Sequence, residues 1–119
     1  MDKNIEQIIS TFSITQDKYD LLIKKLSRYN IGNYIYESAF IRAGFSDNFI
    51  NQFFNELENN HFIEKNYTIY SPFSLERQMF VTNKKEEIPD YYECESTDEE
   101  FNTIDQVRII YKVKNEFSV

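Results

Sequence analysis

Apolar residues recur at spacings of three and four along the first sixty positions. Ile5, Ile8, Ile9 and Phe12 fall at i, i+3, i+4 and i+7, which predicts one buried face of a short first helix. Residues 13–16 read S-x-x-Q, a capping-box pattern that predicts the start of a second helix. Its buried stripe is Tyr19, Leu22, Ile23, Leu26 and Tyr29, and the segment 30–33, with Gly32, ends it. Tyr34 and Ile35 suit a very short strand. Ala39, Phe40 and Ala43 then return to helical spacing until Gly44, and Ser46 is a good N-cap for a longer helix to about residue 60. Phe49, Ile50, Phe53, Phe54 and Leu57 give that helix a wide apolar face.

Beyond residue 60 the period changes from helical to alternating. The stretches 62–65 and 67–70 predict two short strands meeting around Asn66, ended by Pro72. Residues 78–82 and 90–93 also suit strands. The run V-R-I-I-Y-K-V, 107–113, is rich in β-branched residues and gives the clearest strand in the chain. A small antiparallel sheet following the helices is expected, with residues 86–105 partly looping between its strands.

Composition changes this picture in two ways. Ile, Asn, Phe, Tyr, Lys and Met make up 58 of the 119 residues, and all six have AT-rich codons, so Asn and Tyr counts say little about binding. Coding bias and core packing together account for most of the 11 Phe and 9 Tyr. Charge is more informative, because the formal net charge of −7 is not evenly spread. Residues 1–85 carry ten acids and ten bases, 86–105 carry nine acids and no base, and the last fourteen are net +2. No repeat or Gly/Ser/Pro-rich linker divides the chain, so one domain over 1–119 is expected.

The run 36–71, Y-E-S-A-F-I-R-A-G-F-S-D-N-F-I-N-Q-F-F-N-E-L-E-N-N-H-F-I-E-K-N-Y-T-I-Y-S, resembles a winged helix-turn-helix domain. A-G-F-S (43–46) stands at the family's turn, and L-E-N-N-H-F-I-E-K (57–65) at its helix-to-wing junction. Many members have Gly where Asn60 or His61 stands, and Asn tolerates the left-handed conformation. The resemblance implies an α+β fold. It comprises a winged helix-turn-helix core over 15–71, an N-terminal helix and a C-terminal antiparallel β extension over 72–119 with an acidic loop at 86–105. The fold serves both DNA reading and protein contact, so it does not choose between them.

A helix that reads duplex DNA needs cations beside it for the phosphates. The helix predicted from Ser46 contains Asp47, Glu56 and Glu58 and no Lys or Arg. It offers Asn48, Asn51, Gln52 and Asn55, amides of the type that read adenine edges, with Arg42 and Lys65 as the neighbouring cations. Protein contact is therefore the expected role, with a basic partner, and a DNA-binding transcriptional regulator is the alternative. The contact residues expected are Tyr91, Tyr92, Glu93, Glu95, Asp98, Glu99 and Glu100 in the acidic segment, with Tyr67 and Tyr70 in the wing. A third reading makes the acidic run an imitation of nucleic-acid charge that blocks a DNA-binding protein. Size, acidity and AT-rich coding fit an adaptor or regulator of a bacterial defence system, or its phage antagonist.

Catalytic and metal chemistry find no foothold in the pattern. Glu93, Glu95, Asp98 and Glu100 alternate, but the spacing fits no EF-hand loop and lacks its Gly. Cys94 lies between Glu93 and Glu95, whose charges disfavour a thiolate. His61 is the single histidine and has no orienting partner in sequence. Two glycines cannot build a phosphate loop. No enzyme activity, cofactor or metal is expected. A cytoplasmic protein is expected, because no apolar run approaches membrane-span length and one Cys leaves no intramolecular disulfide.

Overall fold

A capping box opens the chain. Asn4 Oδ1 accepts from the Gln7 amide at 2.8 Å, and Asn4 N donates back to Gln7 Oε1 at 2.9 Å, starting helix α1, Ile5–Ser10. The computed structural model describes residues 2–71, 74–94, 99–102 and 107–117; for 70, 71, 74–80, 91–94 and 99–102 only the backbone is described. The S-x-x-Q at 13–16 does not form the box expected there. Thr15 caps α2, Gln16–Leu26, by accepting from Lys18 N at 3.3 Å. The box needs its Glu or Gln three residues into the helix, and with Thr15 as cap that place falls to Lys18.

After the two-residue strand β1, Tyr34–Ile35, come α3, Glu37–Arg42, and α4, Asp47–Asn59. Both helices end in the same way. Gly44 takes φ +109°, with Phe45 N donating to Phe40 O at 3.2 Å and Gly44 N to Ile41 O at 3.0 Å. At the end of α4 the left-handed position is His61, φ +64°, with Phe62 N on Leu57 O at 2.9 Å and His61 N on Glu58 O at 3.1 Å. These are Schellman closures, which consume two of the carbonyls a helix leaves orphaned. Ser46 Oγ caps α4 from the other end, accepting from Phe49 N at 3.1 Å, as its sequence position predicts.

The strands that follow are β2, Ile63–Ser71, β3, Ser74–Thr82, β4, Tyr91–Cys94, β5, Glu99–Asn102, and β6, Val107–Val113. Over the described residues the fold is mixed α+β: four helices with a four-stranded antiparallel sheet in the order β1-β6-β2-β3, and a two-stranded ribbon of β4 and β5. The expected reversal around Asn66 does not occur. Asn66 lies buried in the middle of β2, which continues unbroken to Ser71. Of the favoured two-residue turns, type I′ needs positive φ at both positions and type II′ favours Gly at the first, and Asn66 followed by Tyr67 suits neither well. Ile63, Thr68 and Ile69 meanwhile favour continuing the strand. The β2–β3 pairing runs Tyr67↔Thr82, Thr68↔Val81, Ile69↔Phe80, then shifts register to Tyr70↔Gln78.

The chain divides into two compact units, Met1–Glu64 with Tyr111–Val119, and Lys65–Ile110. The first holds the aromatic core. Phe54 packs edge-on against Phe40 at 5.5 Å and against Tyr111 at 5.2 Å, while Ile50, Phe53 and Leu57 complete the buried side of α4. Ile5, Ile8 and Ile9 of α1 and Leu22 and Leu26 of α2 close over it. Val113 is held by the loop before β1, through Gly32 N to Val113 O and Val113 N to Asn33 O, both 2.8 Å. In the second unit Ile69 and Ile110 are buried, and Thr82 Oγ1 donates to Glu87 Oε2 at 2.6 Å and accepts from Lys84 N at 3.1 Å. That pair of bonds closes the turn after β3.

Phe54→Ala should cost about 3–5 kcal/mol in urea unfolding, since it opens a cavity among Phe40, Tyr111 and their neighbours. Gly44→Ala should cost about 1–2 kcal/mol, because an L side chain pays for the left-handed conformation. The added Cβ would stand 3.0 Å from Lys18 Nζ, which is the mobile end of a long side chain and can move away.

Candidate interaction surfaces

The outward side of α4 is the first candidate. Its buried positions fall at 50, 53, 54 and 57, so helical geometry leaves Asn48, Asn51, Gln52, Asn55 and Asn59 in solvent. Gln52 Nε2 donates to Asn48 Oδ1 at 3.3 Å, a long bond between neighbours on that side. Arg42 is exposed in the last turn of α3, within the same unit. Lys65 belongs to the second unit and is half-buried in β2. The amides therefore share one exposed stripe, without a cation from 47 to 59.

Lys18 governs the turn between α3 and α4. Its ammonium donates to Gly44 O at 2.9 Å and stands 5.0 Å from the centre of the Phe45 ring. The charge thus supports the carbonyl end of α3, where the helix dipole favours a cation. Beside α4 the half-buried Phe12 lies edge-on to Phe49 at 5.1 Å and to Phe53 at 6.2 Å. Three open grooves meet at Phe12. One, about 510 Å³, runs along α4 past Gln52, Asn55 and Asn59 to Lys3. A second, about 380 Å³, passes Lys18, Asn48 and Phe49. The third, about 330 Å³, lies between α1 and α2 at Ile14 and Tyr19. Phe12, Lys3, Lys18 and Asn59 are absent from the sequence-based site. The one visible signal is Phe12, which ends the first apolar stripe yet is not fully covered.

Both chain ends meet the α4–β2 junction. Lys3 N donates to Asn60 Oδ1 at 2.8 Å, and His61 Nδ1 lies 3.0 Å from an Asp2 carboxylate oxygen. Lys114 N donates to Phe62 O at 2.8 Å, and Asn115 Nδ2 bonds His61 O. The His61 and Asp2 side chains are 75% and 51% exposed, an arrangement that steadies the N-terminus.

The acidic segment is the second candidate, and it is not simply a loop. A 3-10 turn, Lys85–Glu87, leads into it, and it contains the antiparallel ribbon of β4 and β5. Tyr91 pairs in register with Asn102, Tyr92 with Phe101, Glu93 with Glu100 and Cys94 with Glu99. The sequence pattern missed β5, because E-E-F-N has no β-branched residue and no clean alternation. The candidates Tyr91, Tyr92, Glu93, Glu99 and Glu100 thus share one ribbon, whereas Glu95 and Asp98 lie outside the described residues. In β2, Tyr67 is half-buried opposite Thr82, and the backbone of Tyr70 pairs with Gln78. Among the described residues no three His, Cys, Asp or Glu side chains gather to hold a metal ion, and no helix is long and apolar enough to cross a membrane.

Comparison of the chain with protein-family models, with curated proteins and with solved structures returns no match. The candidate surfaces therefore stand on their own geometry.

Glu93 opposite Glu100 is a like-charge cross-strand position, the kind that weakens a ribbon, whereas an opposite-charge pair adds about 0.2–1 kcal/mol. Glu100→Lys should slow hydrogen exchange of the paired amides of residues 91–94 roughly two- to fivefold at fixed pH, an effect of that size. Unchanged exchange would mean the register pairing does not govern the ribbon's stability.

Proposed function

We propose that the chain is a non-catalytic, protein-binding winged helix-turn-helix module of adaptor or regulatory type that presents its acidic segment, 86–105, to a basic partner. The winged-helix reading draws on the order of elements: α3, the 43–46 turn, α4, a left-handed residue at His61, then the antiparallel pair β2 and β3. This order is the support for the reading, with β2 continuing to Ser71 where the resemblance implies a shorter first wing strand.

One observation carries the choice of protein over DNA. The exposed stripe of α4 is made of neutral amides, with Arg42 the single cation of the sequence-based set in the same unit. Amides can read base edges, but duplex affinity comes largely from phosphates neutralised by Lys and Arg. Meanwhile nine carboxylates and no base lie between 86 and 105, where they would repel a polyanion and attract a polycation.

Fluorescence anisotropy on a labelled duplex tests the choice. At about 50 mM salt the chain should show no saturable binding tighter than about 10⁻⁴ M. A basic protein retained from lysate should be lost with the variant Glu95→Gln, Asp98→Asn, Glu99→Gln, Glu100→Gln, its fold checked by circular dichroism. Duplex binding that weakens steeply with salt and disappears on Arg42→Ala would overturn the reading in favour of a DNA-binding regulator.

A further inference from the structure

We propose that the groove beside α4 is a second docking site, one that takes a short extended peptide with acidic ends and an apolar centre. It lies within the first unit and does not depend on the role given to the acidic segment. The two larger grooves share Phe12 and Gln52, one continuing towards Asn48 and the other towards Asn59. Together they flank α4 over residues 48–59, about 16 Å at 1.5 Å per residue. An extended chain covers that distance in about five residues at 3.3 Å each.

The lining has the chemistry of a peptide site. Asn48, Gln52, Asn55 and Asn59 recur on one flank at three- and four-residue steps, and each amide both donates and accepts. Such a row can pair with the alternating N–H and C=O groups of an extended main chain. The long Gln52–Asn48 bond is one that an incoming peptide can replace. Midway along, Phe12 supplies a half-buried ring backed by Phe49 and Phe53, a surface against which one apolar side chain can be desolvated.

Charge selects the peptide's sign. Lys3 lines the groove towards the Asn59 end and Lys18 towards the Asn48 end, with Glu56 the single carboxylate among the lining residues. Gly44 O takes one of the three ammonium donors of Lys18. The lining is thus net positive on a chain of formal charge −7. Two cations near the ends of a five-residue track match two carboxylates. They are too few and too far apart to follow the phosphates of a duplex.

The test is a ¹⁵N-HSQC titration of the full chain with a blocked pentapeptide that carries phenylalanine at its centre and aspartate at each end. A control peptide replaces both aspartates with lysine. The acidic peptide should produce saturable shifts at the amides of Phe12, Gln52 and Asn55, and the lysine peptide should bind at least about tenfold more weakly. Lys18→Glu should weaken the acidic peptide about tenfold. Should that variant fail to fold because Lys18 also supports Gly44, the exposed changes Lys3→Glu and Gln52→Glu should together give the same loss. No saturable shift with the acidic peptide, or equal binding of both peptides, would overturn the proposal. So would shifts at these amides that appear with a duplex and not with the peptide, or that grow with protein concentration alone, which would make the occupant a second copy.

Discussion

The position of Phe54 is the constraint from which much of the first unit follows. Its ring meets Phe40 of α3 on one side and Tyr111 of β6 on the other, at 5.5 and 5.2 Å. Residues more than fifty positions apart thereby share one contact, so the C-terminal strand must return to the helices for the core to close. The bond from Tyr111 Oη to Glu37 Oε1, at 3.2 Å, fixes that return with a polar partner for the buried hydroxyl. Phe62 stacked on Phe117 at 5.9 Å repeats the same closure near the chain's end.

Functional consequences follow from how α4 is used. Its apolar side is committed to Phe54 and its neighbours, and the residues left outside are amides and carboxylates. Such a surface is well solvated, but the helix itself carries no cation for the phosphates of DNA. The charge has been placed elsewhere, in a stretch that contains its own two-stranded ribbon. Residues 1–85 carry no net charge and 86–105 carry nine acids and no base, the asymmetry on which the proposed recognition of a basic partner rests.

Much of this was legible in the pattern of residues, for reasons that can be named. Helix stripes in 5–12, 19–29 and 49–57 record which side is buried, because burial and helical period are the same constraint read twice. Ser46 and Gly44 were legible because capping chemistry and positive φ demand particular residue types. The misreadings have equally local causes. Asn66 resembles a turn residue but is held in mid-strand by the β-branched residues around it. Asn4 and Gln7 carry a start signature as good as that at 13–16, since Asn caps a helix as well as Ser does. The grooves at Phe12 left one trace, that ring's place at the end of the first stripe, since they arise where residues 11–15 pass beside α4, a tertiary relation that no local spacing encodes.

One aromatic core ties α4 to residues 111–113, and β4 and β5 belong to the other compact unit. Native-state hydrogen exchange measures this directly, because amides that open only in global unfolding share one free energy. The amides of residues 53–57 and of 111–113 should exchange with the same, highest protection, and those of 91–94 and 99–102 should exchange at lower free energy. Amides at 111–113 that open together with 91–102, well before those of α4, would contradict the account.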